Sequence, residues 1–251
     1  MRERPLLSVE KLSYYAEKST PLLEEISCRI EEGTLTLLTG ANGSGKSLFV
    51  RALKGLISPK SGQIFWGSES VTKEPAKRMQ RIGLVFQDAE TQVVGQTVEK
   101  DIRFGMENLG LGEREQEQRL TEVYELLDLR RFASRRPKSL SGGEKRRLAI
   151  AGVVVMQPGL LILDEPFANL DWHSALSVME VLLRLKRAGH TILIVSHEVE
   201  KILAHAQQVL VLEDGRLVLS GNAEEVYPHL RKHGVYVPAD TPIEELSWLK
   251  R

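Results

Sequence analysis

Residues 35–47 read Leu-Thr-Leu-Leu-Thr-Gly-Ala-Asn-Gly-Ser-Gly-Lys-Ser, an apolar run that leads directly into a glycine-rich loop. The run Leu35–Thr39 predicts a buried strand. Apolar side chains at positions 48, 52 and 56 predict a helix after the loop, ending near Gly55. Glycines let the backbone approach an anion closely, and the amides of a helix N-terminus attract phosphate. The stretch therefore predicts a phosphate-binding loop.

The loop from Gly40 to Ser47 fits the pattern G-x-x-x-x-G-K-[ST]. Lys46 would place a mobile positive charge at the β- and γ-phosphates, and the hydroxyl of Ser47 would ligate Mg²⁺. The cofactors expected are ATP and Mg²⁺. The nucleotide-binding residues expected here are Gly40, Asn42, Gly43, Ser44, Gly45, Lys46, Ser47 and Leu48.

Further along the chain, short apolar runs alternate with longer helical patterns, which is typical of an α/β protein with a mostly parallel sheet flanked by helices. Strands are predicted over 82–86, 160–163, 191–195 and 209–212, and a helix over 175–188. The block from about 88 to 139 has no clear strand and contains a charged helical pattern over 113–136. We expect it to be a helical insertion into the α/β core.

The composition argues against several classes of protein, including nucleic-acid binders and membrane-spanning chains. The 251 residues contain 34 Lys plus Arg and 34 Asp plus Glu, and 42% are hydrophobic. A chain of this size buries a real core, and without a basic excess it is not expected to bind nucleic acid. The most apolar stretch, Leu148 to Met156, is too short to span a membrane, and no signal peptide is expected. Cys28 is the only cysteine, which favours the cytosol.

A carboxylate pair, Asp164 and Glu165, directly follows the predicted strand 160–163. Strand ends in open α/β folds are where ligands bind. There Asp164 would hold Mg²⁺ through water, and Glu165 would polarise an attacking water as general base. An acidic pair in a surface turn is the alternative, and it would be preferred if the phosphate-binding loop were absent.

Two more polar residues come just after predicted strands and so face the same edge of the sheet. His197 is expected to bond the γ-phosphate and the attacking water, and Gln87 to sense Mg²⁺ and that water. The expected catalytic residues are thus Lys46, Gln87, Glu165 and His197. The expected metal ligands are Ser47, Gln87 and Asp164.

A second anion-binding helix start is predicted at Leu140-Ser-Gly-Gly-Glu144, about 20 residues before Asp164. One nucleotide does not need two such sites from one chain. The simplest explanation is a dimer in which Ser141, Gly142, Gly143 and Glu144 of one chain serve the γ-phosphate held by the other.

The order of these motifs resembles that of ATP-binding-cassette (ABC) transporter subunits, from about Leu7 to Gly221. The resemblance implies a P-loop NTPase core of ABC ATPase type, with an antiparallel β N-terminal part and a helical insertion subdomain at about 88–139. It also implies an ABC ATPase domain over 1–221 and a C-terminal extension over 222–251. In this family Gln87 is the Q-loop, Leu140–Glu144 the signature, Phe167–Asp171 the D-loop with Asp171 at its end, and His197 the switch histidine.

A narrower likeness lies in residues 85–92, 97–105 and 144–152, which resemble the ATPases of energy-coupling-factor (ECF) and cobalt- or nickel-type importers. That resemblance implies vitamin or transition-metal uptake and a peripheral position on the cytoplasmic face of the membrane. The implied partners are a second ATPase, identical or paralogous, a transmembrane coupling protein and a membrane substrate-binding subunit. The coupling helices would dock on the surface from Phe86 to Phe104.

Three positions depart from the family pattern or are ambiguous. Glu144 stands where glutamine is commoner, and Asn169 where the subfamily often has glycine. Tyr14 and Tyr15 both lie near the position of the aromatic that stacks on adenine. Tyr15 is the candidate, although a core role suits either tyrosine equally well.

Other assignments of function and tail structure stay open at this point. The chain could serve another ABC importer or exporter, act as a soluble ABC protein in DNA repair or on ribosomes, or be a P-loop kinase, although a kinase would not need residues 140–144. In the tail, Asn222 and Glu225 have capping-box spacing. Thr241-Pro-Ile-Glu244 predicts a short helix to about Lys250 that either packs on the domain or contacts a partner.

Overall fold

The computed structural model describes residues 5–16, 20–238 and 241–249. Two sheets form the framework, joined and covered by helices. The strands are β1 (Leu7–Tyr15), β2 (Pro21–Ile30), β3 (Leu35–Thr39), β4 (Ser61–Trp66), β5 (Glu69–Ser70), β6 (Ile82–Val85), β7 (Leu160–Asp164), β8 (Ile192–Val195), β9 (Gln208–Glu213) and β10 (Arg216–Gly221). The α-helices are α1 (Lys46–Lys54), α2 (Pro75–Arg81), α3 (Val98–Asn108), α4 (Glu113–Leu127), α5 (Gly142–Val154), α6 (Trp172–Arg187) and α7 (Ala223–Val226).

The first sheet is antiparallel and has the strand order β2-β1-β4-β5. Leu7 of β1 pairs with Ile30 of β2 on one side and with Trp66 of β4 on the other. This sheet is the antiparallel N-terminal part that the family resemblance implies.

The second sheet has the order β10-β9-β3-β8-β7-β6. The pairs β3–β9, β3–β8, β7–β8 and β6–β7 are parallel, and only β10 runs antiparallel to its neighbour β9. The predicted mostly parallel sheet is confirmed, and its predicted strands agree with the observed ones to within one or two residues. Parallel pairing brings the carboxyl ends of β3, β6, β7 and β8 to one edge, which is where the candidate site lies.

Both faces of the parallel sheet are buried, which explains why its strands are uninterrupted apolar runs. In β7, Leu161 and Leu163 face the core shared with α5 and α6. Leu160 and Ile162 face the opposite core, between the two sheets and around α1. The period-2 alternation of a strand therefore separates two hydrophobic cores rather than a core from solvent.

The helical insertion is confirmed, since the described residues between 88 and 139 contain helices and turns but no strand. The predicted helix over 113–136 is wrong beyond Leu127. Asp128 adopts a left-handed conformation with φ of 53° and ends α4. The guanidinium of Arg147 on α5 donates to the Leu127 carbonyl at 3.1 Å and to Asp128 Oδ2 at 3.2 Å, so a tertiary contact satisfies the carbonyl at the helix end.

The tail begins as predicted and then departs from the prediction. Asn222 and Glu225 form the expected capping box at the start of α7. The predicted helix from Thr241 is wrong over the described residues, where only a 3₁₀ turn, Ile243–Glu245, is present. Leu246 and Trp248 both pack on the core. Residues two apart in a helix point roughly 200° apart, so an α-helix would turn one of them to solvent. Lys250, the predicted end, lies outside the described residues.

None of the helices within 5–16, 20–238 and 241–249 combines the length and apolarity that crossing a bilayer requires.

Candidate active site

The phosphate-binding loop leaves β3 through a bend that requires glycine. Gly40 has φ of 140°, and a Cβ there would lie 2.0 Å from the Leu212 carbonyl oxygen. Gly45, with φ of 100°, is the N-cap of α1, and no side chain caps that helix. The amides at the start of α1 therefore face the loop, where an anion can accept their hydrogen bonds.

Lys46 extends across the inside of the loop. Its Nζ donates to the carbonyl oxygens of Gly40 at 2.7 Å and Ala41 at 2.9 Å. Burial lowers the pKa of Lys46, and the carboxylates of Glu165 and Asp164 act in the opposite direction. The ammonium thus donates to backbone carbonyls, with two acidic groups close by. It can exchange these acceptors for a stronger anionic one such as a phosphate.

Ser47 and Asp164 meet at the strand ends, as predicted. Their side chains are hydrogen-bonded, and burial raises the pKa of Asp164 while this hydrogen bond lowers it. A hydroxyl and a carboxylate side by side, with the amide of Gln87 lining the same cavity, form an all-oxygen donor set. That donor set suits Mg²⁺, which prefers oxygen ligands and retains several waters.

Glu165 and His197 form a close pair. Oε1 of Glu165 lies 2.7 Å from Nδ1 of His197 and accepts the His197 backbone N–H at 3.2 Å. Oε2 accepts the hydroxyl of Ser196 at 3.2 Å. Glu165 is 9% exposed and has φ of 47°, an uncommon conformation for a residue other than glycine. Strand-end placement predicts the pair, but the pattern does not predict Ser196, although it also follows β8.

One cavity of about 490 Å³ brings most of the predicted residues together. Its lining includes Asn42, Gly43, Gly45, Lys46, Ser47, Leu48, Gln87, Asp164, Glu165 and His197. Gly40 and Ser44 support the loop from behind, since Ser44 is buried and Gly40 accepts a hydrogen bond from Lys46. The structure therefore assembles residues from the loop after β3 and from the ends of β6, β7 and β8 into a single nucleotide-sized site.

The tyrosines considered for stacking on adenine do not line the cavity. Tyr14 packs against the core of the first sheet, whereas Tyr15 is exposed. Neither tyrosine is among the described residues that line the cavity, but Leu22 is, and it is 41% exposed. Leu22 is a residue that no motif predicts, because it lies on β2 and its backbone meets Gly45 of the loop only in the folded chain.

The signature segment lies outside this cavity, at the start of α5. Ser141 is exposed and accepts the Glu144 backbone N–H at 3.3 Å, while Glu144 Oε2 accepts the Ser141 N–H at 2.8 Å. This is a capping box, in which glutamate serves as well as the commoner glutamine. Gly142 is exposed, and Gly143 is buried.

Close packing between α5 and α6 explains why position 143 is a glycine. Hydrogen bonds at the start of α6 fix the end of the D-loop. A Cβ on Gly143 would lie 2.9 Å from Cβ of Ser174. The carboxylate of Asp171 accepts both the backbone N–H and the hydroxyl of Ser174 at 2.9 Å and so caps α6. These hydrogen bonds hold the pKa of Asp171 below its usual range. Asn169 has φ of 60°, a left-handed conformation that asparagine tolerates better than most residues, so it can replace glycine there.

A phosphate-binding loop after a central parallel strand, carboxylates at the neighbouring strand end and a helical insertion together define an ATP-binding protein of the P-loop class. The sequence profile of the ABC transporter family matches residues 23–168. The energy-coupling factor transporter ATP-binding protein EcfA of Methanothermobacter thermautotrophicus is 38% identical, over 88% of this chain and 72% of its own length.

A second relative, an energy-coupling factor transporter ATP-binding protein of Clostridium perfringens, is 39% identical over 94% of this chain and 87% of its own length. Among solved structures, cbiO1 of Clostridium perfringens, part of the ABC transporter complex cbiONQ, aligns with a TM-score of 0.85 and 34% identity. That alignment covers 92% of this chain and 94% of the other. The chain belongs to the ABC transporter family and, within it, to the energy-coupling factor ATP-binding proteins. It is an ATP-binding subunit whose ATPase activity is coupled to transport.

Proposed function

We propose that the chain is the ATP-hydrolysing subunit of an energy-coupling-factor importer for a vitamin or a transition metal. In this proposal it lies peripherally on the cytoplasmic face of the membrane and drives a transmembrane coupling protein by ATP-dependent closure of an ATPase dimer. A separate membrane subunit captures the substrate. The names of its relatives support the transporter type, and the site supports the chemistry.

One observation supports the proposed dimer: the signature lies away from the phosphate-binding cavity of its own chain. Lys46 and Glu165 line the cavity, but no residue of 141–144 does, and Ser141 and Gly142 are exposed. A γ-phosphate bound at Lys46 would therefore lack donors on its open side. The signature of a second cassette, identical or paralogous, supplies them when two chains face each other, with Asp171 at the same face.

Within the site each residue has a distinct proposed role. Lys46 and the loop amides bind the β- and γ-phosphates, and Tyr15, an exposed residue outside the cavity lining, stacks on adenine. Ser47, Gln87 and Asp164 would hold Mg²⁺, which neutralises charge on the phosphates when bound. Glu165 accepts a proton from the attacking water, and His197 holds that water and the γ-phosphate. Because phosphoryl transfer needs mainly positioning and charge stabilisation, dimer closure and hydrolysis are coupled.

The partner surface proposed for the coupling helices is the groove from Phe86 to Phe104. The exposed apolar side chains of Phe86, Val94 and Phe104 lie in this stretch. A cavity of about 590 Å³ there is lined by residues 93–96 together with Arg136, Pro137, Lys138 and Lys145. Its lining combines apolar side chains with the basic Arg136, Lys138 and Lys145, which suits an amphipathic helix whose polar face is acidic.

Arg146 of α5 connects this groove to the D-loop. It is 5% exposed, and its guanidinium donates to the Phe86 carbonyl at 3.1 Å and to the Ala168 carbonyl at 3.5 Å. Burial lowers the pKa of Arg146, with the charge of Asp88 acting in the opposite direction. Movement of a helix docked at Phe86 would therefore reach the dimer-facing segment through one buried side chain.

The test is affinity purification of the chain from membranes, with mass identification of the proteins that accompany it. We expect a transmembrane coupling protein and a small membrane substrate-binding protein, and no nucleic acid. Phe104→Asp should lose both proteins, whereas Leu56→Asp, an exposed apolar residue elsewhere, should retain them. Recovery with a soluble substrate-binding protein system instead would favour another ABC importer. A salt-sensitive association with nucleic acid would favour a soluble ABC protein.

A further inference from the structure

We propose that Lys201 is a positioning residue for the Glu165–His197 pair, and that the C-terminal segment 241–249 supports hydrolysis through it. The inference rests on the proposed ATPase function and gives a role to the tail, which none of the nucleotide-binding motifs includes. Four contacts lead from Trp248 to Glu165, and a fifth joins Lys201 to Phe167.

Lys201 is a buried ammonium close to the active site. It lies four residues after His197, in the 3₁₀ turn Val199–Lys201, and is 5% exposed. Its Nζ lies 2.5 Å from Oε2 of Glu198. A charge buried to this extent has to be paired, so Lys201 fixes the side chain of the residue that follows His197.

Two aromatic rings complete the surroundings of this ammonium. Nζ of Lys201 lies 4.6 Å from the ring centre of Trp248 and 6.0 Å from that of Phe167. Both distances fall within the range in which a cation is attracted to an aromatic ring. Phe167 is two residues after Glu165, and Trp248 belongs to the tail. One ammonium thus links the carboxylate segment, the turn after His197 and the tail.

Hydrogen bonds continue from this turn to the carboxylate. The hydroxyl of Ser196 accepts the backbone N–H of Glu198 at 3.1 Å and donates to Oε2 of Glu165 at 3.2 Å. Glu165 has φ of 47°, so its backbone conformation has to be imposed by its surroundings. The contacts run without a gap from Trp248 through Lys201, Glu198 and Ser196 to Glu165.

The tail is held well enough to position Trp248. Leu246 is buried in the main core, and Oγ of Ser247 lies 2.8 Å from Nε2 of His205. The hydroxyl of Tyr227 donates to the Thr241 carbonyl at 2.7 Å. These contacts hold the Thr241 end of the segment against Tyr227, which follows α7, and the Ser247 end against the turn Leu203–His205, which follows His197.

The test compares four variants in the full-length chain: Lys201→Met, Trp248→Ala, Trp248→Phe and Tyr236→Ala. Methionine retains the length of Lys201 without its charge, and Tyr236 is a highly exposed aromatic in the same extension. We expect kcat to fall roughly tenfold in Lys201→Met and Trp248→Ala, with KM for ATP within about twofold of the wild type. Trp248→Phe retains an aromatic face and should restore most of the rate, and Tyr236→Ala should match the wild type.

Hydrogen exchange at the amides of His197 and Glu198 is the second readout, because both donate to the contacts described above. Exchange there should accelerate in Lys201→Met and Trp248→Ala, while amides of the central strand β3 keep their protection. Suppose that the wild type is active. The proposal is then overturned if kcat is unchanged in both Lys201→Met and Trp248→Ala, or if the local exchange is unchanged in both. A wild type that hydrolyses no ATP even in the complex purified from membranes would refute the proposed function instead, and the exchange experiment would still decide whether the tail holds the pair.

Discussion

Oε1 of Glu165 contacts His197 twice: it lies 2.7 Å from Nδ1 of the imidazole and also accepts the backbone N–H of the same residue. If His197 turns towards a γ-phosphate, Oε1 is released to accept a proton from water. Replacing this carboxylate by an amide of the same size removes the base and leaves the cavity intact. We therefore expect Glu165→Gln to bind ATP with wild-type affinity and to lose steady-state hydrolysis by at least ~100-fold.

Phosphate release and the affinity for a fluorescent ATP analogue measure the two effects separately. Glu180→Gln is the matched control, because Glu180 is an exposed carboxylate on α6 away from the cavity. Full hydrolysis by a homogeneous preparation of Glu165→Gln would refute the assigned base.

The segment that lines the proposed partner groove is held by one buried carboxylate. Oδ1 of Asp101 accepts the backbone N–H groups of Val94 and Gly95, both at 2.7 Å, and Asp101 is 6% exposed. Asp101→Ala leaves both donors without this acceptor, which we expect to lower the free energy of unfolding by about 1–3 kcal/mol. It should also weaken retention of the membrane partners while the affinity for ATP is unchanged.

Urea unfolding and membrane co-purification test this prediction, with Glu122→Ala on the exposed face of α4 as control. Undiminished partner recovery by a folded Asp101→Ala variant would show that the ordered segment 94–95 is not needed for docking.

Because α5 and α6 pack closely at Gly143, we predict that a larger side chain at this signature position destabilises the fold. Valine at position 143 would place its Cβ against Cβ of Ser174, only 2.9 Å away, so the two helices would have to separate. We expect Gly143→Val to lower the free energy of unfolding by about 1–3 kcal/mol. Gly112→Ala is the control, since a Cβ there meets nothing within 4 Å. Equal stability of the two variants in urea unfolding would contradict the packing explanation.

The parallel sheet is predictable from sequence because burial on both faces leaves no polar interruption in strands such as Leu160–Asp164. The end of α4 is not predictable by the same reasoning. Its helical pattern continues past Leu127, and the residue that binds the helix end, Arg147, is 20 positions away in the chain. The tail structure is not predictable for a related reason: Thr241 and Pro242 favour a helix locally, but packing of both Leu246 and Trp248 on the core prevents one.

In the candidate site, the strand-end polar residues and the glycine-rich loop are recognisable from the local sequence, and these residues do meet in one cavity. Leu22 and Ser196 have no such signal. Leu22 lines the cavity from β2 of the other sheet, and Ser196 donates a hydrogen bond to Glu165, 31 positions away in the chain. The contact between Lys201 and Trp248 joins distant segments by packing, which residue spacing does not encode. Contacts of this kind decide how the motif residues are oriented.

Cys28 on β2 gives a pH-dependent prediction that is independent of the site. The thiol is 8% exposed in the core between the sheets, and burial raises its pKa from 9.0 to about 12. Above pH 9 the unfolded chain loses the thiol proton while the folded chain retains it. Stability therefore falls as the pH rises through the window between these two values, and it is unaffected by this group below about pH 8.

The measurement is urea unfolding of the wild type and of Cys28→Ala at pH 8 and pH 10, with each protein referred to its own value at pH 8. Titration of the remaining groups is common to both proteins and cancels in the comparison. We expect the wild type to lose about 1 kcal/mol more than Cys28→Ala between the two pH values. Parallel losses in the two proteins would mean that the thiol ionises in the folded state as readily as in the unfolded one, and that the space around Cys28 admits water.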